Sequence, residues 1–341
     1  MAGRTTDAVE VFTLVLETDT GHVGLGAASP EAVVTGETPE MCGHALSPDE
    51  LSWLAESDPR RIGAVCREAF RRMRGTPGAL AALDIALHDL FAKDLGVPLV
   101  HALGRVHESL PTSVTIGIQR LDEALALADE FVGQGFQALK VKVGESLDHD
   151  LELVRKLRER FGRAVRLRAD ANVGYTAAEA VAFLELAEPL GIEFLEQPVR
   201  ARNDGLRRLP DVWRDRVAAD ESLVDENDAL ALAAETPTRA CGVFNIKLMK
   251  CGGIRPATRI AAIAEAAGVR LMWGCMDESL ISITAALHAA LACPATRYLD
   301  LDGSFDLARD VAEGGFVLHG GEMTVSDEPG LGVRLSGGEA A

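Results

Sequence analysis

The chain is 341 residues long, with 48% hydrophobic and 25% charged residues and a formal charge of −18. That length accommodates one large barrel, or a barrel with a small second domain, and the composition excludes a disordered or membrane-embedded chain. The acidic balance lacks the basic footprint of a nucleic-acid binder and suits a metal-cation partner.

The N-terminus, M-A-G-R-T-T, has no apolar signal core. The longest nearly apolar stretch, Ile281 to Cys293, is interrupted by Ser282, Thr284 and His288 and is too short to cross a bilayer. The expected location is therefore the cytoplasm, with no membrane partner. Six scattered cysteines without a C-x-x-C read as reduced thiols.

Residues 1–108 read as an α+β capping domain. V-E-V-F-T-L-V-L-E-T (9–18) alternates like a strand, D-T-G-H turns it, and V-G-L-G (23–26) returns as its partner. A short helix is expected over 50–56. Leu80, Leu83, Ile85, Leu87, Leu90 and Phe91 then form a helical apolar stripe that stops at Gly96 and Pro98.

Over residues 109–310 the pattern becomes a repeat. Short β-like runs fall at 113–118, 138–143, 165–170, 192–196, 216–220, 242–247, 269–274 and 296–302, with helical stretches between them such as 147–162, 176–187 and 259–268. Eight strands alternating with helices predict an α/β fold of the (β/α)8 barrel type. A doubly wound open sheet is the alternative, but no glycine-rich phosphate turn follows any strand. Residues 311–341 are expected to return to the N-terminal part, with 324–333 read as strand, turn and strand.

Barrels of this kind carry their chemistry at the C-terminal ends of the strands. There, A-L-K-V-K-V-G (138–144) puts Lys140 and Lys142 on one face of the second strand. Asp170, Glu196 and Asp220 end three consecutive strands, an arc of acids that would repel one another unless a hard cation such as Mg²⁺ sat between them. Asn172 and Glu221 are the neighbouring polar residues.

Lys247 ends the sixth strand, opposite Lys142 across an eight-member ring. Two lysines facing each other suit proton removal from one side of a carbon and delivery to the other, with the metal stabilising an enediolate. A lysine base also requires a lowered pKa. Asp300 and Asp302, on the eighth strand and away from the acid arc, suit an ammonium on the substrate, whereas Lys250 reads as a loop residue.

The set K-V-K, D-A-N, E-Q-P, A-D-E-S and N-I-K-L-M-K-C-G-G, in that order, resembles the enolase superfamily in its muconate-lactonizing-enzyme subgroup. With the strand-eight D-L-D it is similar to the dipeptide epimerases, best known as L-Ala-D/L-Glu epimerases. The resemblance implies Mg²⁺ ligands at Asp170, Glu196 and Asp220, an acid/base pair at Lys142 and Lys247, Lys140 as their partner, and a substrate-ammonium contact at Asp300 and Asp302. It also implies a dipeptide substrate, with Arg4 meeting an acidic side chain, and a homo-oligomer. Muconate cycloisomerase or o-succinylbenzoate synthase chemistry on the same scaffold is the alternative. From the residues alone, a binding barrel and a Schiff-base aldolase also stay open.

Overall fold

The computed structural model describes residues 8–201, 205–235, 238–305 and 307–336. Strands β1 (Phe12–Glu17) and β2 (Val23–Ala28) form an antiparallel hairpin. Helices α1 (Ile62–Arg72) and α2 (Pro77–Leu95) follow. The expected helix over 50–56 is instead a helical turn, Pro48–Leu51, running into a 3-10 segment, Ser52–Glu56.

Glycines let the hairpin lie directly on α2. A Cβ on Gly24 would stand 2.4 Å from the Ala86 carbonyl oxygen, and one on Gly26 would stand 1.9 Å from that of Ala82. The stripe expected on α2 proves to be burial on nearly every side, because the hairpin covers one flank and barrel helices cover another. Its N-terminal N–H groups are capped from a distance: the buried Glu37 carboxylate accepts from Gly78 at 2.5 Å and Ala79 at 3.0 Å.

The barrel strands are β3 (Val114–Ile116), β4 (Ala138–Lys142), β5 (Arg166–Asp170), β6 (Ile192–Glu196), β7 (Val217–Ala219), β8 (Val243–Ile246), β9 (Arg270–Gly274) and β10 (Thr296–Asp300). They form one eight-stranded parallel sheet in sequence order. The ring closes where Ser113 donates its N–H to the Leu299 carbonyl at 3.0 Å.

Around the sheet lie α3 (Leu121–Gly133), α4 (Leu147–Phe161), α5 (Ala177–Ala187), α6 (Glu226–Ala233), α7 (Ile254–Ala266) and α8 (Leu280–Leu291). Among the described residues the fourth crossover holds only a 3-10 turn, Gly205–Arg208, and one helical turn, Asp211–Arg214. Among the described residues no helix follows β10, so the eighth unit is a strand alone.

Period-two alternation divides every strand. Leu139, Val141, Leu167, Ala169, Leu271 and Trp273 point outward into the main core under the helices. Phe194, Ala218, Val243, Met272 and Tyr298 fill the barrel's interior. Arg168 lies among them, fully buried, donating to Ser113 Oγ at 3.0 Å and to the Leu299 carbonyl at 2.7 Å.

The tail supplies β11 (Ala312–Gly314), β12 (Phe316–His319), β13 (Glu322–Val325) and β14 (Val333–Leu335). The expected strand-turn-strand at 324–333 does not close on itself. β13 pairs with β12 and with Leu110–Pro111, while β14 pairs with β11. The link between them docks on the end of α2, where Leu331 donates to Asp89 Oδ1 at 2.8 Å.

Candidate active site

The inward parity that puts Phe194 in the interior also turns Lys140, Lys142, Asp170, Glu196, Asn245 and Asp300 inward, towards the mouth, with Lys140 a step deeper than Lys142. Backbone pairing sets Lys142 beside Asp170 and Asp170 beside Glu196. The turns after β5 and β6 hold Asn172, Val173 and Gln197 at φ of 40°, 63° and 32°. For β-branched Val173 this left-handed backbone is strained, by ~1–3 kcal/mol.

Lys142 and Lys247 occupy opposite sides of the arc. Lys142 Nζ donates to Asp170 Oδ2 at 2.6 Å and to Asn172 Oδ1 at 2.7 Å, and Lys247 Nζ lies 2.9 Å from Asp220 Oδ2. Asn172 in turn donates to Glu221 Oε1 at 3.3 Å, so both polar neighbours join the Lys142 side. Burial acts to depress the Lys247 amine, but the Asp220 and Glu196 charges outweigh it and hold the amine above its ordinary value. The lowering expected of a lysine base counts on a cation among these acids, whose charge would offset theirs. The Lys140 charge does act in that direction, but it is smaller than the pull of the two acids.

Lys140 is buried at the centre. It is ion-paired with Asp300 and lies 3.5 Å from Asp170 Oδ2 and 3.7 Å from Glu196 Oε2. Asp300 also accepts from Ser113 Oγ at 2.6 Å. The expected acid pair remote from the arc is thus divided, because Lys140 ties Asp300 to the arc. Asp302 Oδ2 accepts the Thr115 N–H at 2.8 Å, and burial followed by the Asp300 charge pushes its carboxyl up to about 6. Arg4 lies outside the described residues.

Lys250 is corrected outright. The turn Leu248–Cys251 carries it back under the mouth, where it is 2% exposed and donates to the Asp220 carboxylate, the Asp220 carbonyl and the Asn245 carbonyl. Two further residues were not singled out by the sequence reading. Asn245 donates to Glu196 Oε1 at 2.6 Å, and Gln197 Oε1 accepts the backbone N–H groups of Asp220 and Ser222. Gln197 stands in the E-Q-P run and Asn245 in N-I-K-L-M-K, where its spacing of two from Lys247 puts both on the inward face.

The donor set fits a hard divalent cation. Asp170, Glu196 and Asp220 are buried oxygen donors, and Glu196 Oε2 has no hydrogen-bond partner at all. Burial, then the Asp170 charge, pushes the Glu196 carboxyl up to about 8. The three acids stand wider than a closed coordination shell. Among the described residues, Cys66, Asp84 and His88 are the one trio of metal-ligating types drawn within 4.8 Å. In that trio Asp84 Oδ1 already accepts the Ile254 and Arg255 N–H groups at the start of α7.

The hairpin overhangs this mouth. Ser29, one residue past β2, donates through its hydroxyl to the Asp277 carbonyl at 2.6 Å, joining the capping part to the loop after β9. Among the described residues no helix is long and apolar enough to cross a membrane.

A family model described as enolase C-terminal domain-like matches residues 123–340. A second, the mandelate racemase/muconate lactonizing enzyme N-terminal domain, matches residues 1–104. The chain is 57% identical over 335 residues to an L-Lys-D/L-Arg epimerase of Methylococcus capsulatus, covering 98% of this chain and 93% of that protein. It is 37% identical over 336 residues to an L-Ala-D/L-Glu epimerase of Clostridium acetobutylicum, again covering 98% and 93%. A crystal structure of a dipeptide epimerase from Methylococcus capsulatus with Mg and L-Arg-D-Lys superposes with a TM-score of 0.95 at 56% identity, covering 98% of this chain and 94% of that one.

Proposed function

The chain belongs to the mandelate racemase/muconate lactonizing enzyme family, and on that premise we propose that it is a Mg²⁺-dependent dipeptide epimerase acting at the α-carbon of the C-terminal residue. The observation that carries this reading is the pairing of Lys142 and Lys247 with acids on opposite sides of one arc. A carbon held between the two amines can lose its proton to one and regain it from the other, which inverts its configuration.

Asp170, Glu196 and Asp220 would hold Mg²⁺. When bound, the ion would supply the charge that neutralises these acids and stabilises the enediolate. Lys142 and Lys247 would exchange the α-proton on opposite faces, and Lys140 would keep Asp170, Glu196 and Asp300 in register. Asp302, with Asp300 beside it, would hold the ammonium of the N-terminal residue. That group is absent from the substrates of cycloisomerases and o-succinylbenzoate synthases, which disfavours those alternatives.

The L-Ala-D/L-Glu preference expected from the sequence gives way to dipeptides with cationic side chains. The relative named for L-Lys-D/L-Arg is far more similar than the one named for L-Ala-D/L-Glu. A chain carrying 52 acidic against 34 basic residues also favours a cationic ligand at long range.

A dipeptide library incubated in D₂O and read by mass spectrometry tests reaction and preference together. Deuterium should enter the C-terminal α-position of Lys- and Arg-containing dipeptides, faster than of L-Ala-L-Glu, with no incorporation after chelation and recovery on adding Mg²⁺. Intact exchange in a Lys142→Ala, Lys247→Ala double variant would rule the mechanism out.

A further inference from the structure

Each carboxylate of the arc has one oxygen secured by a protein donor. Asp170 Oδ1 accepts the Asn172 N–H at 3.0 Å, Glu196 Oε1 accepts Asn245 Nδ2 at 2.6 Å, and Asp220 Oδ1 accepts Lys250 Nζ. The other oxygens are Asp170 Oδ2 and Asp220 Oδ2, which meet the Lys142 and Lys247 amines, and Glu196 Oε2, which has no hydrogen bond and only the Lys140 amine at 3.7 Å.

The two side-chain donors work as a unit. Lys250 donates to the Asn245 carbonyl at 3.2 Å as well as to the Asp220 carbonyl at 2.7 Å, and both residues are buried. Gly274 makes room for the pair, because a Cβ there would stand 2.5 Å from Asn245 Oδ1. Asn245, Lys247 and Lys250 come from one short run, so a single segment supplies a base and two supports.

Resting on the metal reading above, we propose that Asn245 and Lys250 are positioning residues that restrict Glu196 and Asp220 to one-oxygen coordination and so make the site prefer Mg²⁺ to Ca²⁺. Mg²⁺ requires a near-regular octahedron with bonds of ~2.0–2.1 Å, which two oxygens of one carboxylate fit badly. Ca²⁺, with 6–8 ligands at ~2.3–2.6 Å, accepts them readily. An acid whose second oxygen is taken by Asn245 or Lys250 cannot offer that bidentate grip. The Lys250 charge repels both divalent ions alike, so it largely cancels in the ratio of their affinities, whereas the geometric restriction does not.

The test is calorimetric titration of Mg²⁺ and of Ca²⁺ into the full-length protein without substrate, for wild type, Lys250→Met and Asn245→Leu, with thermal melts to verify folding. The Ca²⁺-to-Mg²⁺ Kd ratio should fall by ~10-fold or more in each variant, whichever way the absolute affinities move. Ratios within about two-fold of wild type in a folded variant would overturn the proposal. Asn245→Leu removes a neutral donor, so it carries the test alone should Lys250→Met fail to fold. Wild-type protein that bound neither ion would overturn the metal reading itself, a result distinct from an unchanged ratio.

Discussion

Lys247 Nζ stands 2.9 Å from Asp220 Oδ2, so the amine proposed to carry a proton shares a carboxylate with the acidic arc. Lys142 stands in the same relation to Asp170. The proposed bases and ligands are therefore coupled at both ends, and neutralising the acids would free the amines.

Lys142→Ala and Lys247→Ala should each lower epimerisation by ~10²–10⁴-fold. Each variant retains one amine on one face, so it should wash deuterium into one epimer of the substrate and not the other. Proton NMR in D₂O, begun separately from each epimer, distinguishes this from general damage. A single variant exchanging both epimers would contradict the two-base arrangement.

Asp302→Asn removes the charge proposed to face the substrate ammonium while its amide can still occupy the same space. KM for free dipeptides should rise by ~10–100-fold, the worth of a charge-assisted hydrogen bond. Turnover of an N-acylated analogue, which has no ammonium, should change little. Equal losses on both substrates would assign Asp302 to packing.

His288 sits buried in α8, where its Nδ1 accepts from the Val100 N–H at 2.9 Å and its Nε2 meets the Leu331 carbonyl at 3.3 Å. Burial depresses its pKa from 6.5 to about 4. Between those values the unfolded chain binds the extra proton, so stability should fall as pH drops from about 6.5 towards 4, by ~3 kcal/mol at most. Denaturant melts across that range should show a shallower acid limb in His288→Gln. An unchanged limb would remove His288 as its source.

Gly26→Ala would drive a Cβ into the Ala82 carbonyl of α2. The hairpin must lift, at a cost of ~1–3 kcal/mol. Gly21→Ala at the hairpin tip meets no atom within 4 Å, but its φ of 83° strains the backbone instead. Thermal melts should therefore fall for both, with loss of substrate affinity only in Gly26→Ala, where the segment leading to Ser29 moves.

The barrel and its arc are legible because parity is local: alternation alone puts Lys140 and Lys142 on one face, and three consecutive apolar runs end at Asp170, Glu196 and Asp220. Lys250 was not legible, because its burial depends on the turn Leu248–Cys251 folding it beneath Asp220, a tertiary fact with no period in the sequence. Asp300 reads as a substrate contact for a similar reason, since nothing local shows that Lys140 reaches past the one strand between them to pair with it. The 324–333 segment had strand character at both ends, but its strands take partners distant in sequence.

Leu25 and Ala27 of the hairpin and Ala81 and Ile85 of α2 belong to the same apolar cluster as Val141 and Leu271 of the barrel. On this flank apolar packing runs unbroken from hairpin to barrel, while Leu80 and Leu83 on another flank of the helix pack in a separate cluster of the capping part. A graft of the overhanging segment from a relative with another appetite would have to bring its helical bed along, and the two would have to change as one cassette.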